Sequence, residues 1–184
     1  MSETVGFVGL GLMGHGIANN ILKGGYRLHV IAHRNRVPVE DLISQGATEA
    51  TSLAELAKAC TIIHICAPGS PQVEAIVSEM LPHMQKGAVI VDCSTSDPTS
   101  TTKLAKQLSD SWMAMADAPL GGTPVQAEAG ELATMVGATD EVFNRIEPGL
   151  KGWAGNSVHL GGVGEGHRRK LLNNMRAMGY AAMY

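Results

Sequence analysis

The run Gly9-Leu10-Gly11-Leu12-Met13-Gly14 follows the apolar segment Val5-Gly6-Phe7-Val8 and precedes Ile17-Ala18-Asn19-Asn20-Ile21-Leu22. A strand before and a helix after give this glycine spacing its chemical meaning. Gly9 permits a tight turn, Gly11 lets the backbone approach a pyrophosphate, and Gly14 lets helix and strand pack closely, with the helix N-terminus facing the phosphate charge. Sites of this kind hold the ribose hydroxyls of NAD with an acidic residue about 20 residues further on. Here the chain reads His33-Arg34-Asn35-Arg36, without a carboxylate. A guanidinium can pair a 2′-phosphate through two N–H groups, so NADP is the expected cofactor, with Arg34 the first choice for that contact and Arg36 the second.

A second group of residues suits proton transfer. Lys170 and Asn174 stand four residues apart on one helix face, so an ammonium and an amide can converge on one small oxygen atom. In a carbonyl reduction, charge builds on that oxygen as hydride reaches the carbon; the lysine donates the proton and the amide holds the oxygen, and in reverse the lysine accepts it. His167, as a single histidine, is expected at the surface, and Asp117, beside Met113-Ala114-Met115, is expected to be structural. Cys60, Cys66 and Cys93 are odd in number without CxxC spacing, which predicts buried, reduced thiols. The histidines form no HExxH or other ligand pair, so no metal is expected.

The elements that must position these groups alternate. Apolar runs rich in β-branched residues predict strands at 4–9, 27–33, 61–66 and 88–92, and the later runs at 113–117, 132–136 and 157–160 read as further strands. Helices are predicted near 12–23, 38–45, 52–59, 71–80, 98–109 and 139–149, with turn chemistry at Gly121-Gly122-Thr123-Pro124 and Gly161-Gly162. This rhythm implies an α/β fold, a Rossmann-type doubly wound and mostly parallel sheet. Residues 1–162 form that unit, and 163–184 read as one helix with Leu171, Leu172, Met175, Met178 and Met183 on its surface. The helix ends without a cap or polar tail, as expected of the first part of an interdomain helix cut from something larger.

A chain of 184 residues, 45% hydrophobic and 17% charged, can bury one sizeable core. A net charge of −3 with scattered basic residues argues against nucleic acid. The glycine-broken N-terminus argues against a signal peptide or membrane span, so a cytoplasmic address follows.

These motifs carry a resemblance. GFVGLGLMG, the HR pair followed by Gly46-Ala47, VDCSTSDP at 91–98, DAPLGGTPVQAEAGEL at 117–132 and GEGHRRKLLNN at 164–174 are similar to the β-hydroxyacid dehydrogenase family. That family comprises 3-hydroxyisobutyrate dehydrogenases, tartronate semialdehyde reductases and 6-phosphogluconate dehydrogenase-like enzymes. The resemblance implies that Gly9, Gly11, Leu12, Met13 and Gly14 hold the pyrophosphate, that Arg34 marks the strand end, and that Pro68 lines the cofactor. It places Ser94 on the substrate, Thr95 near the nicotinamide ribose, and Lys170 and Asn174 at the reacting oxygen. The family's serine in the substrate segment falls on Gly121, so Gly122 and Thr123 are expected to supply the contacts there. A GxT segment also resembles sulfolactaldehyde reductases, and backbone N–H groups of the Gly121-Gly122 turn suit a carboxylate or sulfonate. Family members continue into an all-α C-terminal domain, which is absent from this sequence. The Met175, Met178, Tyr180 and Met183 stripe is therefore expected to drive homo-oligomerisation through the C-terminal helix. A non-catalytic NADP-binding module and an imine reductase are the alternatives; both usually lack the lysine that this chain keeps.

Overall fold

The computed structural model describes residues 3–183. Nine strands form one sheet: β1 (Thr4–Val8), β2 (Arg27–Val30), β3 (Thr48–Glu49), β4 (Ile62–Ile65), β5 (Val89–Asp92), β6 (Ala114–Asp117), β7 (Leu120–Gly121), β8 (Leu132–Gly137) and β9 (Ala154–Gly161). The order is β3-β2-β1-β4-β5-β6-β8-β7, with β9 pairing β8. Pairing is parallel from β3 through β6 and between β8 and β9, and antiparallel where β8 meets β6 and β7. This is the doubly wound α/β sheet that the alternation of apolar runs predicts.

Eight helices cover it: α1 (Gly14–Lys23), α2 (Val37–Ser44), α3 (Leu53–Ala59), α4 (Ser70–Met80), α5 (Pro98–Ser109), α6 (Pro124–Ala129), α7 (Asp140–Trp153) and α8 (Glu165–Met183). One core layer joins Phe7 and Val30 to Ile17 and Ile21 of α1, Leu42 of α2 and Trp153 of α7. The opposite layer joins Ile63, Ile65 and Ile90 to Leu56 of α3, Val73 and Val77 of α4, and Leu104 and Leu108 of α5. Alternate residues of β4 therefore serve different layers, as a strand buried on both faces requires.

The differences from the sequence reading have local causes. β3 and β7 hold only two residues each, too few to show a period. The expected turn at 121–124 is the end of β7 and the start of α6, whose capping box links Thr123 and Gln126. Helix α7 runs past Pro148 to Trp153 because Ile146, Leu150 and Trp153 stay buried on one face. Strand β2 stops at Val30, leaving His33 to Arg36 in a loop before α2.

Helix α6 sits tightly against α1. A Cβ on Gly16 would come within 2.5 Å of the Ala127 carbonyl carbon, and Asn20 Nδ2 donates to the carbonyls of Gly16, Ala127 and Glu128. Cys60 and Cys93 are buried and Cys66 half-buried, all unpaired thiols; burial pushes the Cys60 thiol up to about 12 and that of Cys66 to about 11. No helix among the described residues is long and apolar enough to cross a membrane. The side chains of α8 from Leu171 to Tyr180 that were expected to be apolar and exposed are so; Met183's side chain lies outside the described residues.

Candidate active site and dinucleotide cleft

The glycines of the first turn have separable duties. A Cβ on Gly9 would lie 2.1 Å from the Cys66 carbonyl oxygen, and one on Gly14 would lie 2.0 Å from the Gly9 carbonyl oxygen. Gly9 also has φ +99, where a side chain is strained. Both positions exclude any other residue for reasons internal to the fold. Gly11 differs: a Cβ there would meet nothing within 4 Å. Its bareness serves no packing need, and it borders a cavity of about 460 Å³ lined by Leu10, Leu12, His15, Asn35 and Pro124.

Helix α1 begins beside this opening without a side-chain cap and without an acidic residue in its first turn, whereas α3, α5, α6 and α7 start on the side chains of Ser52, Asp97, Thr123 and Thr139. No side chain among the described residues takes up the first N–H groups of α1, and the positive end of its dipole meets an open space, the arrangement that receives a pyrophosphate. Leu12 projects into solvent at 81% exposure. The residues present fit a dinucleotide.

His15 closes one side of the cavity. Its two ring nitrogens lie 2.8 Å from Asp41 of α2 and 2.8 Å from Glu128 of α6. Burial opposes its charge, but hydrogen bonds to Glu128 and Asp41 outweigh that and hold its pKa above the ordinary histidine value. The two arginines after β2 divide. Arg36 donates to both oxygens of Glu49, at 3.0 and 3.1 Å, and lies 3.4 Å from Glu40. Arg34 is exposed and has no such partner among the described residues.

The remaining site residues gather where β4, β5 and β6 end, the edge at which open parallel sheets bind ligands. Ser94 is buried; its Oγ accepts from Ala67 N–H at 2.9 Å, which ties it to the loop carrying exposed Pro68. Thr95 beside it is exposed. Lys170 of α8 donates from Nζ to the Leu120 carbonyl at 2.7 Å, so its ammonium sits against the start of the Gly121-Gly122 segment. Gly122 has φ +134 and leaves 2.8 Å between a notional Cβ and Leu132 Cδ2, so glycine is required there. The Thr123 hydroxyl is engaged in the cap of α6, accepting from Gln126 N–H at 3.4 Å and lying 3.2 Å from Gln126 Oε1. Asn174 is half-buried one turn beyond Lys170.

His167 corrects the sequence reading. Expected at the surface, it is fully buried. Its ring lies between Ser94 and Thr101, and its backbone N–H donates to Asp117 Oδ2 at 2.7 Å. Arg168 and Arg169, which follow it, are exposed. Asp117 is structural as expected, and more: it also accepts from Gly164 N–H at 2.6 Å and so caps α8 from inside the protein. Burial pushes its carboxyl up, against the pull of those N–H groups and of His167. Gly166 is the readable trace of this arrangement, since a Cβ there would come 2.3 Å from the Met135 carbonyl and 2.8 Å from Asp117 Oδ2.

Comparison with known proteins agrees with this architecture. Residues 4–161 match the family described as the NAD binding domain of 6-phosphogluconate dehydrogenase. The chain is 35% identical over 177 residues to 2-(hydroxymethyl)glutarate dehydrogenase of Eubacterium barkeri, covering 95% of this chain and 58% of that protein. It is 34% identical over 175 residues to 2-hydroxy-3-oxopropionate reductase of Escherichia coli, covering 93% and 59%. The crystal structure of 3-hydroxyisobutyrate dehydrogenase from Salmonella typhimurium superposes with a TM-score of 0.92 at 28% identity, covering 99% of this chain and 65% of that one. The chain thus spans less than two thirds of the length of these relatives. This match, on a fold whose first glycine turn is open to a dinucleotide, shows that the chain belongs to the β-hydroxyacid dehydrogenase family, as its NAD(P)-binding domain.

Proposed function

We propose that this chain is the cofactor-binding part of an NADP-dependent dehydrogenase that interconverts a small β-hydroxyacid and its semialdehyde. The observation that carries the reading is Lys170 Nζ held 2.7 Å from the Leu120 carbonyl, beside the Gly121-Gly122 segment. When bound, NADPH supplies the hydride to a carbonyl carbon. Leu120 takes one of the three Nζ hydrogens, which leaves two for a substrate oxygen. Lys170 then gives a proton to that oxygen in reduction and takes it back in oxidation, with Asn174 and the Ser94 hydroxyl holding it. Thr95 and Pro68 line the nicotinamide side, and the pyrophosphate rests on Gly11, Leu12 and Met13. Arg34, whose guanidinium has no partner among the described residues, takes the 2′-phosphate; Arg36 is committed to Glu49. With the Thr123 hydroxyl engaged, the substrate's acid group is left to the backbone of the Gly121-Gly122 segment.

The reading divides the chain into the dinucleotide-binding unit 1–162 and the helix 163–184, acting in the cytoplasm. Leu172, Met175, Met178 and Tyr180 are exposed on that helix and drive self-association, so size-exclusion chromatography should give a species larger than a monomer at high concentration. The direct test mixes the protein with NADPH and the semialdehydes of tartronate, methylmalonate and sulfolactate, following nicotinamide absorbance. Oxidation that falls by about 10² to 10⁴ in Lys170→Ala is the expected result. Tight NADPH binding without turnover of any semialdehyde would instead make the chain a non-catalytic module.

A further inference from the structure

We propose that His167 is a positioning residue that fixes the distance between the Ser94–Thr95 wall of the cleft and Lys170. Its ring Nε2 lies 3.1 Å from the Ser94 carbonyl oxygen, its Nδ1 lies 2.8 Å from Thr101 Oγ1, and its main-chain N–H donates 2.7 Å to Asp117 Oδ2. A carbonyl only accepts, so Nε2 carries the hydrogen and donates to Ser94. One residue thereby links the loop after β5, helix α5 and the end of β6 to the first turn of α8. Asp92 Oδ2 lies 3.8 Å from Nε2 and Asp117 Oδ2 lies 3.9 Å from Nδ1, so carboxylates flank the ring on both sides.

Lys170 follows three residues later on the same face of α8, one turn along. A shift of His167 with the first turn of α8 would stretch these three buried hydrogen bonds. The same bond reaches the substrate wall directly, because Ser94 presents its carbonyl to His167 and its hydroxyl to Ala67 N–H. His167 therefore sets the spacing between the proton donor and the hydroxyl proposed to hold the reacting oxygen. A displacement of about 1 Å in such a spacing lowers a rate by about 10². The glycine turn makes none of these bonds, so the pyrophosphate contacts stay in place and the network reaches the cofactor only on its nicotinamide side, through Ser94.

The inference rests on the hydroxyacid dehydrogenase reading only for its turnover arm. The test compares the wild-type chain with His167→Phe, which removes both ring hydrogen bonds at similar bulk, His167→Gln, which returns an N–H near the Nε2 position, and Thr101→Val, which removes the Nδ1 partner and keeps shape. Each is measured for NADPH binding by fluorescence, for acylation of individual lysines by acetic anhydride with mass spectrometry, and for turnover. In His167→Phe, Lys170 acylation should rise about fivefold relative to Lys106 and Lys151, the NADPH Kd should stay within about twofold, and kcat should fall about 10²-fold at unchanged KM for NADPH. His167→Gln should return both readouts to within about threefold of wild type, and Thr101→Val should raise Lys170 acylation about twofold. Unchanged Lys170 reactivity in both His167→Phe and Thr101→Val, acceleration of all lysines together, or His167→Gln no better than His167→Phe would each overturn the proposal. If His167→Phe does not fold, Thr101→Val and His167→Gln decide it by the same comparison. If the wild type turns over no semialdehyde, the hydroxyacid reading falls, and the acylation arm still decides the role of His167.

Discussion

On the glycine wall of the cleft main chain meets main chain, Gly9 against Cys66 and Gly14 against Gly9, within a few residues of one turn or across one strand pair. On the Lys170 wall buried side chains hold the backbone instead. Asp117 receives the N–H groups of Gly164 and His167, and His167 reaches Ser94 and Thr101, over separations of 47 to 73 residues. A wall made of backbone tolerates only glycine at fixed positions, whereas a wall made of side chains depends on partners that no local spacing reveals. The first is therefore broken by a Cβ at Gly9 or Gly14, and the second also by the loss of a single polar side chain such as Asp117.

Substitution separates the two walls, and the largest effect belongs to the first. Gly14→Val places a Cβ 2.0 Å from a carbonyl oxygen and should cost more than about 4 kcal/mol, read as loss of a cooperative urea transition. Asp117→Ala leaves two buried N–H groups at the start of α8 unsatisfied and should cost about 3 kcal/mol by the same melt, since each orphaned donor costs about 1–3 kcal/mol. Equal and small effects of the two substitutions would erase the distinction drawn between the walls.

The sheet beneath both walls supplies a control. His64 of β4 is buried against Phe7 and Trp153, with neither ring nitrogen bonded among the described residues, and burial pushes its pKa down to about 4. The unfolded chain binds this proton at the ordinary value of 6.5, so stability is full above that pH and falls as pH drops from 6.5 toward 4. That loss is of order 3 kcal/mol, and His64→Phe should flatten the stability profile across this window. An unchanged profile would mean that the acid response arises elsewhere.

Smaller still is the effect expected at the loop after β2. Arg34→Ala should weaken NADPH binding about tenfold and leave NADH binding unchanged, whereas Arg36→Ala, losing an exposed ion pair with Glu49, should change NADPH affinity less than about twofold. The reverse ranking would move the 2′-phosphate contact to Arg36.

The same contrast explains what could be read from the chain. Gly9, Gly11 and Gly14 announce themselves by their spacing between an apolar strand and a helix, and β1, β4 and β5 by their runs of β-branched residues. Lys170 and Asn174 stand out as a pair by their spacing on one helix face. His167 does not, because Arg168 and Arg169 beside it suggest an exposed turn, while Ser94, Thr101 and Asp117, which bury it, lie far along the sequence. Helix α6 had a signal in Thr123 and Gln126, a capping-box spacing hidden by the glycines before it. Strands of two residues, β3 and β7, carry no pattern at all and exist only because β2 and β8 offer them an edge.

Gly11 gives the most direct test of the central claim, that this turn exists to receive a nicotinamide dinucleotide. A Cβ there meets nothing within 4 Å, so Gly11→Val should fold and melt as the wild type does. NADPH titrated by fluorescence into both proteins should bind the variant at least about tenfold more weakly, because the added side chain stands where the pyrophosphate must approach. An unaltered melt with unaltered NADPH affinity would contradict the account, since the bareness of Gly11 would then serve no ligand.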